Sequence, residues 1–291
     1  MKIEDFKNYD FNLTNDAVFK HYFSVASNLS VLLSLILDEE IHPEDITYLP
    51  NEVIITPKIK KPRFDLKILI QNELNIDLEM QNTKENYFIE RAFHYLASMV
   101  MRNNKEGNDY NCLDSFLCIW LMNTKQPVFD NNSYCEIYSM SSEITNNRID
   151  KYRILIIDLK KLNLCDNIEL REYLSMIESK SNITRNLNSS NELIKKEAKK
   201  MKDYLESNES FRIALETLKS ELDYNSAIKS AKEEGLVQGL EQGRVEGLEQ
   251  GVLQNKKEVI LNLYQMGLSF DMIAKAVNLS IDEVKEILKS K

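Results

Sequence analysis

Two short stretches of the chain alternate apolar and polar residues with a period of two, the spacing of half-buried strands. Residues 63–70 set Phe64, Leu66, Ile68 and Ile70 against Arg63, Asp65 and Lys67. Residues 75–81 set Ile76, Leu78 and Met80 against Asp77, Glu79 and Gln81. Gln71, Asn72 and Glu73 lie between them, so the two are expected to close as a hairpin. With the turn centred on Asn72, Asp65 falls opposite Glu79, Lys67 opposite Asp77 and Arg63 opposite Gln81. Cross-strand partners sit about 4.5–5.5 Å apart, so the polar face gathers carboxylates, an amide and two cations in a small area. A slip of one residue would set Met80 against Asp65 and disperse them.

A helix is expected to begin in the stretch Leu13 to Lys20, capped by Thr14 or Asn15, with Asp16 near the positive end of its dipole. A second, rich in leucine, covers about 28–37, and Pro43, Pro50, Pro57 and Pro62 then cut the chain into short pieces. A helix over about 84–103 follows the hairpin, with Phe88, Phe93, Leu96 and Val100 as its apolar stripe. Residues 113–122, 135–140 and 152–159 read as further strands. The fold class is therefore α/β, a mixed sheet flanked by helices over residues 1–166, with an α-helical extension behind it. That extension divides into a helical region over 167–234, a glycine repeat over 235–255, and a small helical unit over 256–291.

The repeat places Gly235, Gly239, Gly243, Gly247 and Gly251 at a strict spacing of four, five of the chain's seven glycines. Each costs a helix roughly 1 kcal/mol against alanine, which suggests close approach between helices and a homo-oligomer; a flexible linker is the alternative. Glutamine, glutamate and arginine between the glycines rule out a membrane span. In the last unit Gly267 ends one helix, and Ser280 with Glu283 forms a capping box for another. The pattern is that of a helix-turn-helix, with Ile273, Ala274, Val277, Leu279, Val284 and Ile287 as its core. The would-be recognition helix opens with Asp282 and Glu283 and adds Glu286, acids that face DNA poorly, so a protein-docking module is the alternative there.

With 43% hydrophobic and 29% charged residues, the composition is that of a globular protein with a sizeable core. No long apolar run, no signal pattern and no C-x-x-C pair are present, so a reduced, cytoplasmic protein without membrane contact is expected. A net charge of −9 argues against a protein that coats nucleic acid, yet Lys58, Lys60, Lys61, Arg63 and Lys67 cluster within ten residues. They form either a local basic groove or a solvated strand face.

Carboxylates that hold Mg2+ against a phosphate oxygen can both activate water and stabilise charge, and a hairpin fixes their spacing. By spacing alone, Asp-x-Glu-x-Gln is also compatible with an ordinary surface hairpin. The stretches Asn15-Asp16-Ala17-Val18-Phe19-Lys20, Arg63-Phe64-Asp65-Leu66-Lys67 and Asn75-Ile76-Asp77-Leu78-Glu79-Met80-Gln81 resemble the recombination-promoting nuclease / putative transposase family, a branch of the PD-(D/E)XK nucleases. Arg91, Tyr95, the late strand followed by Lys160, and the glycine-repeat tail share the resemblance.

The resemblance implies a restriction-endonuclease-like PD-(D/E)XK core and a Mg2+- or Mn2+-dependent DNA endonuclease with a recombination-promoting or transposase-like role. It assigns Asp65 and Glu79 as catalytic metal ligands, Gln81 as the water-orienting residue, and Asp16 as completing the metal shell. Gln81 stands where the wider superfamily usually has lysine and brings no positive charge. Pro62 lies three residues before Asp65, so the literal Pro-Asp pair is absent. Lys20, Lys67 and Arg63 are candidates for DNA phosphate contact, and Asp77 for a supporting acid. The alternatives are a catalytically weakened DNA-binding or targeting protein, and an assembly module acting through the C-terminal tail.

Overall fold

A computed structural model describes residues 12–50, 64–103 and 114–289. Its contacts divide the chain into two units, Met1–Leu218 and Lys219–Lys291. Arg63 and the basic cluster Lys58, Lys60 and Lys61 lie outside the described residues, as do Pro57, Pro62 and Cys112.

Among the described residues of the first unit, six strands form one sheet: β1 (Ile46–Tyr48), β2 (Leu66–Ile70), β3 (Leu74–Gln81), β4 (Ser115–Met122), β5 (Cys135–Ser141) and β6 (Arg148–Asp158). Their order is β1-β2-β3-β4-β6-β5. The β2–β3 pair is antiparallel, with Leu66 opposite Leu78, Lys67 opposite Asp77 and Ile70 opposite Leu74. This is the register of a turn centred on Asn72. Gln71 and Asn72 take φ of 48° and 61°, a left-handed conformation that asparagine tolerates better than most residues.

The β3–β4 and β4–β6 pairs are parallel. Parallel neighbours need a crossover, and α3 (Phe88–Asn103) supplies it between β3 and β4. β4 is apolar almost throughout because it is covered on both faces. On one face Leu66, Ile68, Ile76, Leu78, Leu117, Ile119 and Leu155 meet α1 (Asp16–Phe23), α2 (Ala26–Leu37), α4 (Ile168–Glu178), α5 (Lys180–Asn186) and α6 (Glu192–Leu205). On the other, Cys118, Trp120, Met122, Ile154 and Ile156 meet α3. The polar residues of β2 and β3 lie on the α3 side.

The start of α1 follows from its cap: the Asn15 side chain accepts from Val18 N, and Asp16 occupies the first turn. Its apolar residues Val18, Phe19, Tyr22 and Phe23 recur at one-turn spacing and are buried. The stripe expected for α3 needs correction. Phe88, Ala92, Tyr95, Leu96 and Met99 are buried, whereas Phe93 is 56% exposed. Phe93 follows Phe88 by five residues, about 140° around the helix, which carries it off the buried face. The helix also begins at Phe88 rather than near residue 84, where the Lys84 ammonium instead donates to Val128 O at 2.9 Å. β6 starts at Arg148, earlier than expected, because β5 and β6 form a hairpin closed by Ser142 N donating to Asn147 O. Cys118, Cys135 and Cys165 are free thiols.

The glycine repeat lies inside an uninterrupted helix, α7 (Asn208–Gln265). In the second unit the end of this helix packs with α8 (Phe270–Val277) and α9 (Ile281–Lys289) around Ile260, Ile273, Ala274 and Val284, with Val277, Leu279 and Ile287 at the margin. Ser280 and Glu283 form the reciprocal cap, with Ser280 N to Glu283 Oε2 at 2.8 Å and Glu283 N to Ser280 Oγ at 3.2 Å.

A Cβ placed at any of the five repeat glycines meets nothing within 4 Å, so no packing among the described residues accounts for them. Gly267 differs, because its φ of +84° is left-handed. The same substitution is therefore expected to have opposite signs. Gly243→Ala should stabilise α7 by about 1 kcal/mol, and Gly267→Ala should destabilise the terminal unit by about 1–2 kcal/mol. Far-UV circular dichroism melts of dilute protein would read both.

Candidate active site

The open end of the β2–β3 hairpin is fastened by its own acids. Asp65 N donates to Glu79 Oε1 at 2.8 Å, and Met80 N donates to Asp65 Oδ2 at 3.0 Å. Each carboxylate thus caps the backbone of the opposite chain, just beyond the last ladder pair. The Gln81 carboxamide donates from Nε2 to Glu79 Oε2 at 3.1 Å, and its Oε1 is 3.4 Å from Arg91 Nη1. Arg91 also bonds Glu85 at 3.1 Å, and its guanidinium lies 5.3 Å from the Trp120 ring centroid and 5.5 Å from that of Tyr95.

From the other side α1 delivers Lys20. Its Nζ is 2.8 Å from Asp65 Oδ1 and 2.9 Å from Asp16. The Asp16–Lys20 spacing of four places both on one helix face. Of the residues assigned from the sequence, Asp16, Lys20, Asp65, Glu79 and Gln81 therefore form one connected chain, which Arg91 extends. Asp16 and Lys20 are part-exposed and Asp65 is buried, so the chain runs from solvent into the sheet.

Lys67 is placed differently. It is 6% exposed, opposite Asp77 in the ladder, with Nζ 5.9 Å from the Phe64 ring centroid. Asp77 is fully buried, and neither of its oxygens meets a donor in good geometry. The Glu79 carboxyl and the Cys118 thiol, opposite Asp77 in the parallel register, lie beside it. Reading the sequence did not place Cys118 here, because the β3–β4 pairing is set by a crossover that local alternation does not reveal. Nor did it join Gln81 to Arg91 or Lys20 to Asp65. For Lys20 a partial signal existed in its spacing from Asp16.

Burial pushes the Asp77 and Glu79 carboxyls well above the usual carboxylate range; Asp77 and Asp65 push Glu79 further, whereas at Asp77 the neighbouring Glu79 works against the rise and Asp65 adds to it. Asp65 is also raised by burial, with Lys20 pulling the other way. Burial alone would lower the Lys20 ammonium, but Asp65 and Asp16 outweigh it and raise it.

The family model of the PD-(D/E)XK nuclease family transposases matches residues 13–231. The chain belongs to this family. Its mixed sheet flanked by helices, followed by a long helix, is consistent with the PD-(D/E)XK core and a helical extension. No curated protein and no solved structure matches the chain. Nucleases of this kind typically use a divalent metal ion. Among the described residues no three His, Cys, Asp or Glu side chains converge as a ready-made cage. Mg2+ asks for less, since it is commonly held by one or two carboxylates with waters and substrate phosphate. The hard oxygens of Asp65 and Glu79 fit that donor set. Among the described residues no helix is long and apolar enough to cross a membrane.

The raised acids give the metal-free protein a pH dependence of definite sign. Between the ordinary carboxylate range and the raised folded values, the folded state binds more protons than the unfolded one. Stability is then present in full at low pH and falls as pH rises through that window. Asp77→Asn is expected to flatten this fall, because it removes one of the groups whose folded-state proton affinity is raised. Thermal melts between pH 5 and pH 8 in chelator would test it; an unchanged slope would remove Asp77 as the source.

Proposed function

We propose that this family member is a metal-dependent DNA endonuclease, hydrolysing phosphodiester bonds with Asp65, Glu79 and Gln81 at its catalytic centre, in a recombination-promoting or transposase-like role. The observation that carries this reading is the mutual capping of Asp65 and Glu79 at the hairpin's open end, which holds two hard carboxylates on rigid strands. Asp65 and Glu79 would hold Mg2+ or Mn2+, with Asp16 completing the set. When bound, the ion would lower the pKa of a water and offset charge on the phosphate.

The remaining roles fall to the chain's own residues. The Gln81 carboxamide can orient a water by hydrogen bonding, and Arg91 behind it restrains its rotation. Lys20, part-exposed on α1 and paired with Asp16 and Asp65, would meet a phosphate oxygen on turning from them. Lys67, buried beside Asp77, is better suited to offset that acid, and Arg63 stays a candidate DNA contact from the sequence alone. One observation favours a second reading, a weakened nuclease that binds or targets DNA. Both ends of the Gln81 carboxamide are already engaged, and it adds no charge where lysine is usual.

Incubating supercoiled plasmid with Mg2+ or Mn2+ separates the two. Wild type should nick it, and Asp65→Ala and Glu79→Ala should each lower the rate roughly 100-fold or more, the loss of several kcal/mol of charge stabilisation. Equal nicking by all three proteins would sink the endonuclease reading. DNA binding without metal-dependent cleavage would favour the second.

The same proposal assigns self-association to the glycine repeat, since the repeat glycines are solvent-facing on α7 and no described residue packs on them. A chain truncated after Glu234 should sediment as a smaller species than the full chain; an unchanged oligomeric state would discard the idea.

A further inference from the structure

We propose that the Lys20 ammonium is the resident cation of this site, and that it competes with a divalent ion for Asp16 and Asp65. The inference rests on the active-site reading above and adds a loading step to it. Lys20 Nζ lies within 2.9 Å of both acids, one on its own helix and one on the sheet. Asp65 Oδ2 is committed to Met80 N, and Oδ1 is the oxygen that meets Lys20. A cation approaching Asp65 from the solvent side, where Asp16 and Lys20 are part-exposed, therefore meets an oxygen already carrying a positive partner.

Three features make this more than an ordinary salt bridge. First, Asp65, just before β2, is buried together with Asp77 and Glu79, and the ammonium 2.8 Å from it offsets a charge held out of water. Second, among the described residues the other cations beside these acids have partners of their own, Lys67 opposite Asp77 and over Phe64, and Arg91 on Gln81, Glu85 and two aromatic rings. Third, Lys20 can leave. Its side chain is 36% exposed and carries the charge on a flexible four-carbon stem, so the ammonium can swing outward without moving α1. Loading then exchanges a mobile monovalent charge for a fixed divalent one, and frees an ammonium beside the carboxylates for an incoming phosphate.

Competition and a merely structural bridge predict opposite signs. If Lys20 only braces the site, removing it loosens the carboxylates and weakens ion binding. If it competes, removing it strengthens binding. Mn2+ binding to the full chain by isothermal titration calorimetry reads the difference, with thermal melts in chelator confirming that each variant folds. Lys20→Met is expected to bind Mn2+ about tenfold more tightly than wild type, ~1.4 kcal/mol, and Lys20→Gln should shift the same way. Lys20→Arg, which keeps the charge, should stay within about threefold of wild type, and Asp65→Ala should lose the site. Unchanged or weaker binding by Lys20→Met and Lys20→Gln, with Asp65-dependent binding intact in wild type, would overturn the competition while leaving the site reading standing. Absence of Asp65-dependent binding in wild type would instead remove the site reading, and this inference with it.

Discussion

Side chains alternate across a strand, so the pairing of β2 with β3 decides two things together. It sends Leu66, Ile68, Ile76 and Leu78 into the core under α1 and α4, and it sends Asp65, Asp77 and Glu79 to the opposite face. Neither outcome can be altered without the other, because a one-residue slip would exchange the faces throughout. The register is held at one end by the positive-φ pair Gln71 and Asn72, and at the other by the acids themselves, which cap each other's backbone. Hydrophobic burial thus selects the arrangement that concentrates the carboxylates.

The arrangement is electrostatically costly. Burial raises the proton affinity of these acids, Asp77 and Asp65 raise that of Glu79 further, and Asp77 lacks a well-placed donor. Such a cluster persists where the rest of the fold holds it and where a cation relieves it. Lys20 from α1 and Lys67 within β2 relieve it from different sides, one exchangeable and one buried. Nucleases of this family typically use a divalent metal ion, and this stored charge is what makes the proposed metal site physically reasonable.

Much of this was legible in the residues. Alternation through 64–81, with Asn72 in the turn, is enough to place Asp65 across from Glu79, and Asn15 before Asp16 marks the start of α1. The capping pair Ser280 and Glu283 and the apolar set around Ile273 were equally local. What resisted reading was tertiary. Phe93 fits a helical stripe by hydrophobicity and misses it by angle. Lys67 reads as a surface charge until the packing of Phe64 over it is known. Cys118 comes beside Asp77 only through the parallel pairing of β4, and the link from Gln81 to Arg91 depends on where the crossover helix lands. The pattern within each strand carries the site's acids; the neighbours that modulate them come from distant segments.

That division between local acids and distant partners has a consequence for how the site assembles in time. Asp65 and Glu79 are fourteen residues apart, and a hairpin of that kind closes in about 1–10 μs. The contact with α1 closes a far longer loop, and the parallel pairing of β3 with β4 must await the crossover, both of them slower steps. During folding the carboxylates therefore meet each other before they meet Lys20. The nascent hairpin is, for that interval, a net anionic ribbon with Lys67 as its own counter-charge, and the arrival of α1 both packs it and brings Lys20 to Asp65.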